Sequence, residues 1–161
     1  MTKYILHGGE TKRKTEDNKK FFFEMTNGLS GNITVLCVYF AKEKGLWTRL
    51  FAEDKVNFSS AAPETPSLPG GQTAPKKALN FLLADDKIEE LIGQIKKAEV
   101  IYLRGGNTMW LQEILAKVKN LTELWKDKVV AGSSAGACVL ARYYRGNDYN
   151  IYHGTIGQGL G

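Results

Sequence analysis

The chain has 161 residues, 43% of them hydrophobic and 24% charged, with a formal net charge of +5. This length predicts one domain over residues 1–161 with a single core. The lysines and arginines lie in short, dispersed groups without interleaved aromatic residues, which does not favour nucleic-acid binding. The apolar runs are too short for a signal peptide or a membrane span. Cys37 and Cys138 form neither a metal-binding spacing nor a disulfide framework, which predicts a reducing, cytoplasmic location. No metal or cofactor is expected.

Strand-like and helix-like patterns alternate along the chain, and the first is a short buried strand stopped by Gly8-Gly9. In chain order they predict a strand at 4–6, a helix at 15–26, a strand at 33–40, a helix at 44–58, a strand at 79–83, a helix at 85–95, a strand at 100–103, helices at 110–118 and 121–125, a strand at 128–131 and a helix at 135–143. Residues 59–76 contain all four prolines and predict an irregular surface loop. The alternation predicts an α/β three-layer sandwich with a mainly parallel, flavodoxin-like sheet.

A Gly-x-Ser-x-Gly turn centred on Ser134 joins the last predicted strand to the last predicted helix. Gly132 and Gly136 lack the Cβ atoms that would crowd so sharp a turn. Such an elbow exposes a serine hydroxyl at a helix N-terminus, where free N–H groups can stabilise an oxyanion. Ser134 is therefore a candidate nucleophile, whereas the side chain of Ser133 should point away from the apex. The alternative is a small-residue turn without chemistry.

Arg104-Gly105-Gly106-Asn107 forms a second turn between a buried strand and a helix. Gly105-Gly106 can supply one oxyanion donor, and the amide of Ala135 can supply the other. Asn107 could instead do no more than cap the helix that follows. Arg104 has two readings, a cation for an acidic substrate group or a solvent-exposed residue at a strand end.

Together these two motifs resemble the peptidase E family of serine peptidases, which includes aspartyl dipeptidases. The matching segments are Tyr102-Leu103-Arg104-Gly105-Gly106-Asn107-Thr108 and Gly132-Ser133-Ser134-Ala135-Gly136-Ala137, with landmarks at Ile5-Leu6-His7-Gly8-Gly9 and Gly159-Leu160-Gly161. The resemblance implies a fold similar to class I glutamine amidotransferases and the metal-free cleavage of short peptides near an acidic residue. It implies Ser134 as nucleophile, the amides of Gly106 and Ala135 as oxyanion donors, and Gly105 and Asn107 beside the substrate.

A serine nucleophile needs a base, commonly a histidine held by a carboxylate. The resemblance places the family's histidine beyond Gly159-Leu160-Gly161, so this chain is expected to lack that residue and the C-terminal strands around it. After Ser134 the sequence contains one histidine, His153, and one acidic residue, Asp148. His153 is a candidate base, although its surroundings are equally typical of a loop, and Asp148 receives no role.

Two functions from different classes remain open at this stage. One is a dipeptidase-like serine hydrolase that uses Ser134. The other is a catalytically incomplete homologue that binds ligands or forms homo-oligomers, for which the tyrosine-rich segment 143–152 offers a partner surface. An ordinary α/β-hydrolase esterase is disfavoured, because the segment after Ser134 is too short for that fold's remaining strands, acid and histidine.

Overall fold

The computed structural model describes residues 1–61, 77–145 and 156–160. The strands are β1 (Lys3–His7), β2 (Asn32–Val38), β3 (Ala78–Leu83), β4 (Val100–Leu103), β5 (Val129–Ser133), β6 (Tyr143–Arg145) and β7 (Ile156–Gln158). The α-helices are α1 (Glu16–Thr26), α2 (Trp47–Ala61), α3 (Ile88–Lys97), α4 (Thr108–Leu115), α5 (Leu121–Leu124) and α6 (Ala135–Leu140), and a 3-10 turn covers Lys44–Leu46. Within these residues, every helix is too short or too polar to span a bilayer.

Five strands form one parallel sheet in the order β1-β5-β4-β2-β3. The order β3-β2-β4-β5 within it corresponds to the 2-1-3-4 order of the flavodoxin fold. Strand β1 takes the place of that fold's fifth strand beside β5. The sheet is therefore flavodoxin-like, with its last position filled from the start of the chain, and the predicted α/β class is confirmed.

Helices cover both faces of the sheet. The connections from β1 to β2 to β3 advance in one direction, and those from β3 to β4 to β5 advance in the other. Right-handed crossovers therefore place α1 and α2 on one face and α3, α4 and α5 on the opposite face. The contacts agree, since α1 packs on α2, α3 on α5 and α4 on α6. This is the predicted three-layer arrangement.

The core lies on the central strands. Every residue of β4 is buried, and so is every residue of β5. Phe22 of α1, Phe58 of α2 and Tyr102 of β4 form an aromatic cluster with ring centroids 5.0 to 6.2 Å apart, in edge-to-face orientations that favour aromatic pairs. This cluster fixes α1 and α2 to the strand that leads into the Gly105-Gly106 turn.

Strand β1 is not the buried strand that its apolar residues predict. It is an edge strand whose one neighbour among the described residues is β5, and its Tyr4 and Leu6 are 50% and 56% exposed. An apolar run in a sequence predicts a strand but not its position in the sheet, which is set by the crossovers.

The helix predicted over 135–143 ends at Leu140, and residues 143–145 form β6 instead. Strand β6 pairs with β7, and the segment after β7 completes the end of α6, where the N–H of Leu160 donates to the carbonyl of Val139 at 2.8 Å. Pairing between distant segments has overridden the local helical pattern here. The remainder of the predicted 59–76 loop beyond α2, residues 62–76, lies outside the described residues.

Candidate active site

Ser134 is the single residue between β5 and α6 and lies at the apex of the turn that joins them. Its backbone has φ 50° and ψ −113°, a combination that a residue with a Cβ rarely adopts, and its side chain is exposed. The N–H of Ser134 donates to the carbonyl of His7 at 2.9 Å, which ties the apex to the end of β1. The strand-to-helix elbow expected from the sequence is therefore present, with its hydroxyl facing solvent.

The two glycines of the elbow are required by close backbone contacts. A Cβ on Gly132 would lie 2.4 Å from the carbonyl carbon of Gly136, and a Cβ on Gly136 would lie 2.0 Å from the carbonyl oxygen of Leu103. Helix α6 therefore presses directly onto β4. This contact brings the N-terminus of α6 beside the turn that leaves β4.

Ser133 is buried and has a structural role. Its Oγ accepts a hydrogen bond from the N–H of Gly105 at 3.1 Å and lies 3.2 Å from the hydroxyl of Tyr102. It therefore links the elbow to the Gly105-Gly106 turn and leaves Ser134 as the exposed hydroxyl of the pair. This confirms the prediction that the side chain of Ser133 points away from the apex.

Two glycine turns border Ser134. A Cβ on Gly105 would lie 2.8 Å from Cβ of Ser134, and a Cβ on Gly9 would lie 3.2 Å from the same atom. Gly106 has φ +157° and packs on the carbonyl of Ala41. Among the described residues, the N–H groups of Gly106 and Ala135 donate to no protein acceptor. These are the two amides that the sequence offers as oxyanion donors.

Arg104 comes just before the Gly105-Gly106 turn and lines the pocket, and the reading of it as a solvent-exposed strand end is wrong. It is 3% exposed, and its guanidinium donates to Asp54 at 3.0 Å and to Glu53 at 3.0 Å. It is therefore not exposed at the strand end, and its charge is paired with two carboxylates of α2. The ion pairs hold the end of β4 against α2.

Asp54 is the buried centre of this network. Its side chain is fully buried and accepts hydrogen bonds from Arg104 and from the hydroxyl of Tyr39, the latter at 2.9 Å. Burial raises the pKa of Asp54, while Arg104 and Tyr39 oppose that shift. Because a buried carboxylate is costly without its cation, the Asp54 carboxylate depends on Arg104.

The elbow and the two glycine turns enclose one pocket of about 370 Å³, which is enough for a small ligand. Ser134, Gly105 and Gly106 form one wall of it. The charged residues that line the pocket besides Arg104 are Glu10, Lys12, Arg13 and Lys42. These three cations outnumber the one carboxylate, so the pocket favours an anionic group.

The structure brings together most of the residues singled out from the sequence. Ser134, Gly105, Gly106 and Ala135 meet at the carboxyl ends of β4 and β5. Asn107 caps α4, because its side-chain oxygen accepts hydrogen bonds from the N–H groups of Met109 and Trp110, and its place beside a substrate stays a prediction. Asp148 and His153 lie outside the described residues.

Sequence reasoning missed the cations of the pocket and the carboxylates under it. Lys12 and Arg13 read as a solvated charge run, although their position just after Gly8-Gly9 at a strand end was a usable signal. Nothing in the sequence marks Glu53 and Asp54 as partners of Arg104, since they look like ordinary surface residues of a helix. His7, whose ring packs on Phe21, accepts the N–H of Gly9 at its Nδ1.

Comparison with solved structures shows the same fold in two peptidase structures. A peptidase from an acI-B1 actinobacterium matches 97% of the chain at 19% identity with a TM-score of 0.61. A protein classed as a peptidase E from Listeria monocytogenes EGD-e matches 89% of it at 22% identity with a TM-score of 0.59. The chain spans 63% of the length of each of these two proteins. No curated protein matches the chain.

The family model of peptidase family S51 matches residues 78–155. This match contains the strand that leads into Gly105-Gly106, the elbow at Ser134 and both of the segments that carry the sequence resemblance. The motifs, their juxtaposition in one pocket and the shared fold all agree with it. Residues 78–155, just under half of the chain, thus fit the model of peptidase family S51, in agreement with the resemblance to the peptidase E family that the two motifs carry.

Proposed function

We propose that this chain acts as a serine-type peptidase on short peptides, with Ser134 as the nucleophile. The observation that carries the proposal is the exposed hydroxyl of Ser134 on a strained elbow, followed directly by the N–H of Ala135 and sharing one pocket with Gly106. Attack by Oγ on a peptide carbonyl turns the carbonyl oxygen into an oxyanion, and such preorganised donors stabilise that charge. Strain of this kind in a nucleophile's backbone keeps the hydroxyl exposed.

The charge of the pocket favours peptides with an acidic residue near the scissile bond. Lys12 and Arg13 line the side of the pocket formed by the segment after β1, and both are exposed. Arg13 pairs with Glu10 at 3.0 Å, but both side chains are about 70% exposed, so this pair is weak and can give way to a substrate carboxylate. Ser134 lines the same pocket, so an acidic residue bound by these cations would share the pocket with the nucleophile.

Hydrolysis of two matched dipeptides, Asp-Leu and Asn-Leu, tests this function. The two peptides have nearly the same shape and differ in one charge, so we expect kcat/KM for Asp-Leu to be at least about tenfold higher. The preference should shrink with added salt, because the cations are exposed. Arg13→Gln should reduce it, and Lys44→Gln, which removes a cation that lies outside this pocket and pairs with Asp86, should not.

Three outcomes decide the matter. Faster cleavage of Asp-Leu supports both parts of the proposal. Equal rates for the two peptides contradict the recognition of an acidic residue. Binding of Asp-Leu without any hydrolysis contradicts the peptidase proposal and favours a ligand-binding module.

A further inference from the structure

A cleft of about 500 Å³ adjoins the pocket of Ser134, and Lys42 lines both of them. We call it the aromatic cleft, because its apolar lining residues are Phe40, Trp47, Trp110 and Ile114. Ligand sites are typically concave and lined by apolar and aromatic side chains. The cleft therefore has the composition of a binding site, and the recognition of an acidic residue does not involve it.

The ring of Trp47 is held in place before any ligand binds. Its indole N–H donates to the carbonyl of Lys42 at 2.9 Å. Its ring centroid lies 5.4 Å from that of Phe40, and Nζ of Lys44 lies 5.6 Å from the centroid of Trp47. Because this ring is already ordered, a ligand that packs on it does not have to order it first, which favours affinity.

Trp110 is the exposed aromatic residue of the cleft. It is 47% exposed and lies in the first turn of α4, the helix that follows the Gly105-Gly106 turn. Ile114 comes four residues later, so the two side chains lie on the same face of α4. A ligand in the cleft would cover the exposed part of the Trp110 ring, and the removal of this apolar surface from water would favour binding.

The charges of the aromatic cleft balance. Its charged lining residues are three lysines and three carboxylates, Lys42, Lys44, Lys117, Glu43, Asp86 and Glu113. Lys44 pairs with Asp86 at 2.7 Å, and Lys117 pairs with Glu113 at 3.2 Å. In contrast to the cationic pocket of Ser134, this cleft therefore favours apolar surface rather than one sign of charge.

The sheet order places the aromatic cleft in line with the nucleophile. Ser134 follows β5, the Gly105-Gly106 turn follows β4, and Lys42 and Trp47 follow β2, the next strand of the sheet. The segment after β1, which carries Lys12 and Arg13, begins on the other side of β5. Neighbouring strands are about 4.8 Å apart, so β2 lies about 10 Å from β5. One peptide residue with a large side chain can span this distance from Ser134, and a small residue cannot.

We propose that the aromatic cleft binds the side chain of the peptide residue that follows the scissile bond, and that it favours a large apolar or aromatic residue there. Trp110 is then a residue that determines specificity. The inference rests on the proposed function, because the bond that Ser134 cleaves defines the residue that follows it. An acidic residue followed by an aromatic one would fill both the cationic pocket and the cleft.

Hydrolysis of Asp-Phe and Asp-Ala by the wild-type protein tests the proposal. The two dipeptides have the same charge and the same acidic residue, and they differ only in the side chain that the cleft would receive. We expect kcat/KM to be at least about tenfold higher for Asp-Phe, because the loss of apolar groups from a matched pocket changes rates by this order.

Three variants assign that preference to Trp110. Trp110→Ala should reduce the preference for Asp-Phe to less than about threefold and leave the hydrolysis of Asp-Ala nearly unchanged. Trp110→Phe should keep most of the preference, because an aromatic ring remains. Met109→Ala is the matched control, since Met109 is also 47% exposed in the same turn of α4 but does not line the cleft, and this variant should keep the full preference.

Binding to the Ser134→Ala protein separates the cleft from the chemistry. Calorimetry gives Kd for each dipeptide without turnover, and we expect Asp-Phe to bind at least about tenfold more tightly than Asp-Ala. Adding Trp110→Ala to this protein should remove most of the difference.

Equal kcat/KM for the two dipeptides, or a preference that Trp110→Ala leaves intact, would overturn the role of the cleft, whereas hydrolysis of both would still support the peptidase. A wild-type protein that hydrolyses neither dipeptide would contradict the proposed function. In that case, tighter binding of Asp-Phe that depends on Trp110 would still support the cleft as a binding site, and equal binding would overturn it as well.

Discussion

Ser134→Ala is expected to abolish hydrolysis of Asp-Leu, with a fall in kcat on the order of 10⁶-fold, the size of the loss when a serine nucleophile is removed. The reason is that no other exposed hydroxyl shares the elbow, since Oγ of Ser133 is buried between Gly105 and Tyr102. Single-turnover and steady-state rates of the variant against the wild-type protein measure the loss. Affinity for the peptide should be nearly unchanged, because the cations of the pocket remain.

Ser133→Ala is the matched control for that change. It removes the neighbouring hydroxyl and its two hydrogen bonds, which should lower the free energy of unfolding by about 1 to 3 kcal/mol but leave the nucleophile in place. Hydrolysis should therefore persist in Ser133→Ala. If Ser134→Ala kept the wild-type kcat, Ser134 would not be the nucleophile.

Arg104→Met is expected to cause the largest loss of stability, about 3 to 5 kcal/mol, because it leaves the fully buried carboxylate of Asp54 without its cation. Urea unfolding of the two proteins measures the difference. Without Arg104, the buried Asp54 side chain is more stable in its protonated form, which acidic pH favours. The loss in the free energy of unfolding should therefore be smaller at acidic pH than at pH 7. The sign follows because removing Arg104 raises the pKa of Asp54 in the folded state further above its unfolded value.

Lys44→Met supplies the comparison. It also removes the cation of an ion pair, but Lys44 is 70% exposed and its pair with Asp86 lies in solvent, so the loss should stay below about 1 kcal/mol. Equal losses for the two variants would show that the Arg104 network is not a buried support. A stable Arg104→Met protein with full hydrolysis would show that the Gly105-Gly106 turn does not depend on Arg104 for its position.

The sequence was sufficient for the parts of the site that depend on local rules. A glycine on either side of Ser134 and a β-branched run before it predict an elbow, because only residues without Cβ fit against Leu103 and against each other. Apolar runs and helical spacing likewise predict the strands and helices around it. The parallel sheet follows, since strands that alternate with helices pair by crossovers.

The parts that depend on distant partners could not be predicted in this way. Residues 143–145 have a pattern compatible with a continued helix, and only β7 makes them a strand. Arg104 looks exposed or available in the sequence, and only the packing of α2 on the sheet brings Glu53 and Asp54 to it. Lys42 and Ser134 are 92 positions apart in the chain, and only the fold brings both to the lining of one pocket.

Peptide mapping by mass spectrometry after reaction with an alkyl fluorophosphonate is the most direct test of Ser134 as nucleophile. The native wild-type protein should carry one adduct, on Ser134, and the protein unfolded in urea should carry none, because the elbow and its donors exist only in the folded chain. A folded protein that acquires no adduct, or acquires it on a different residue, would contradict the assignment of this site.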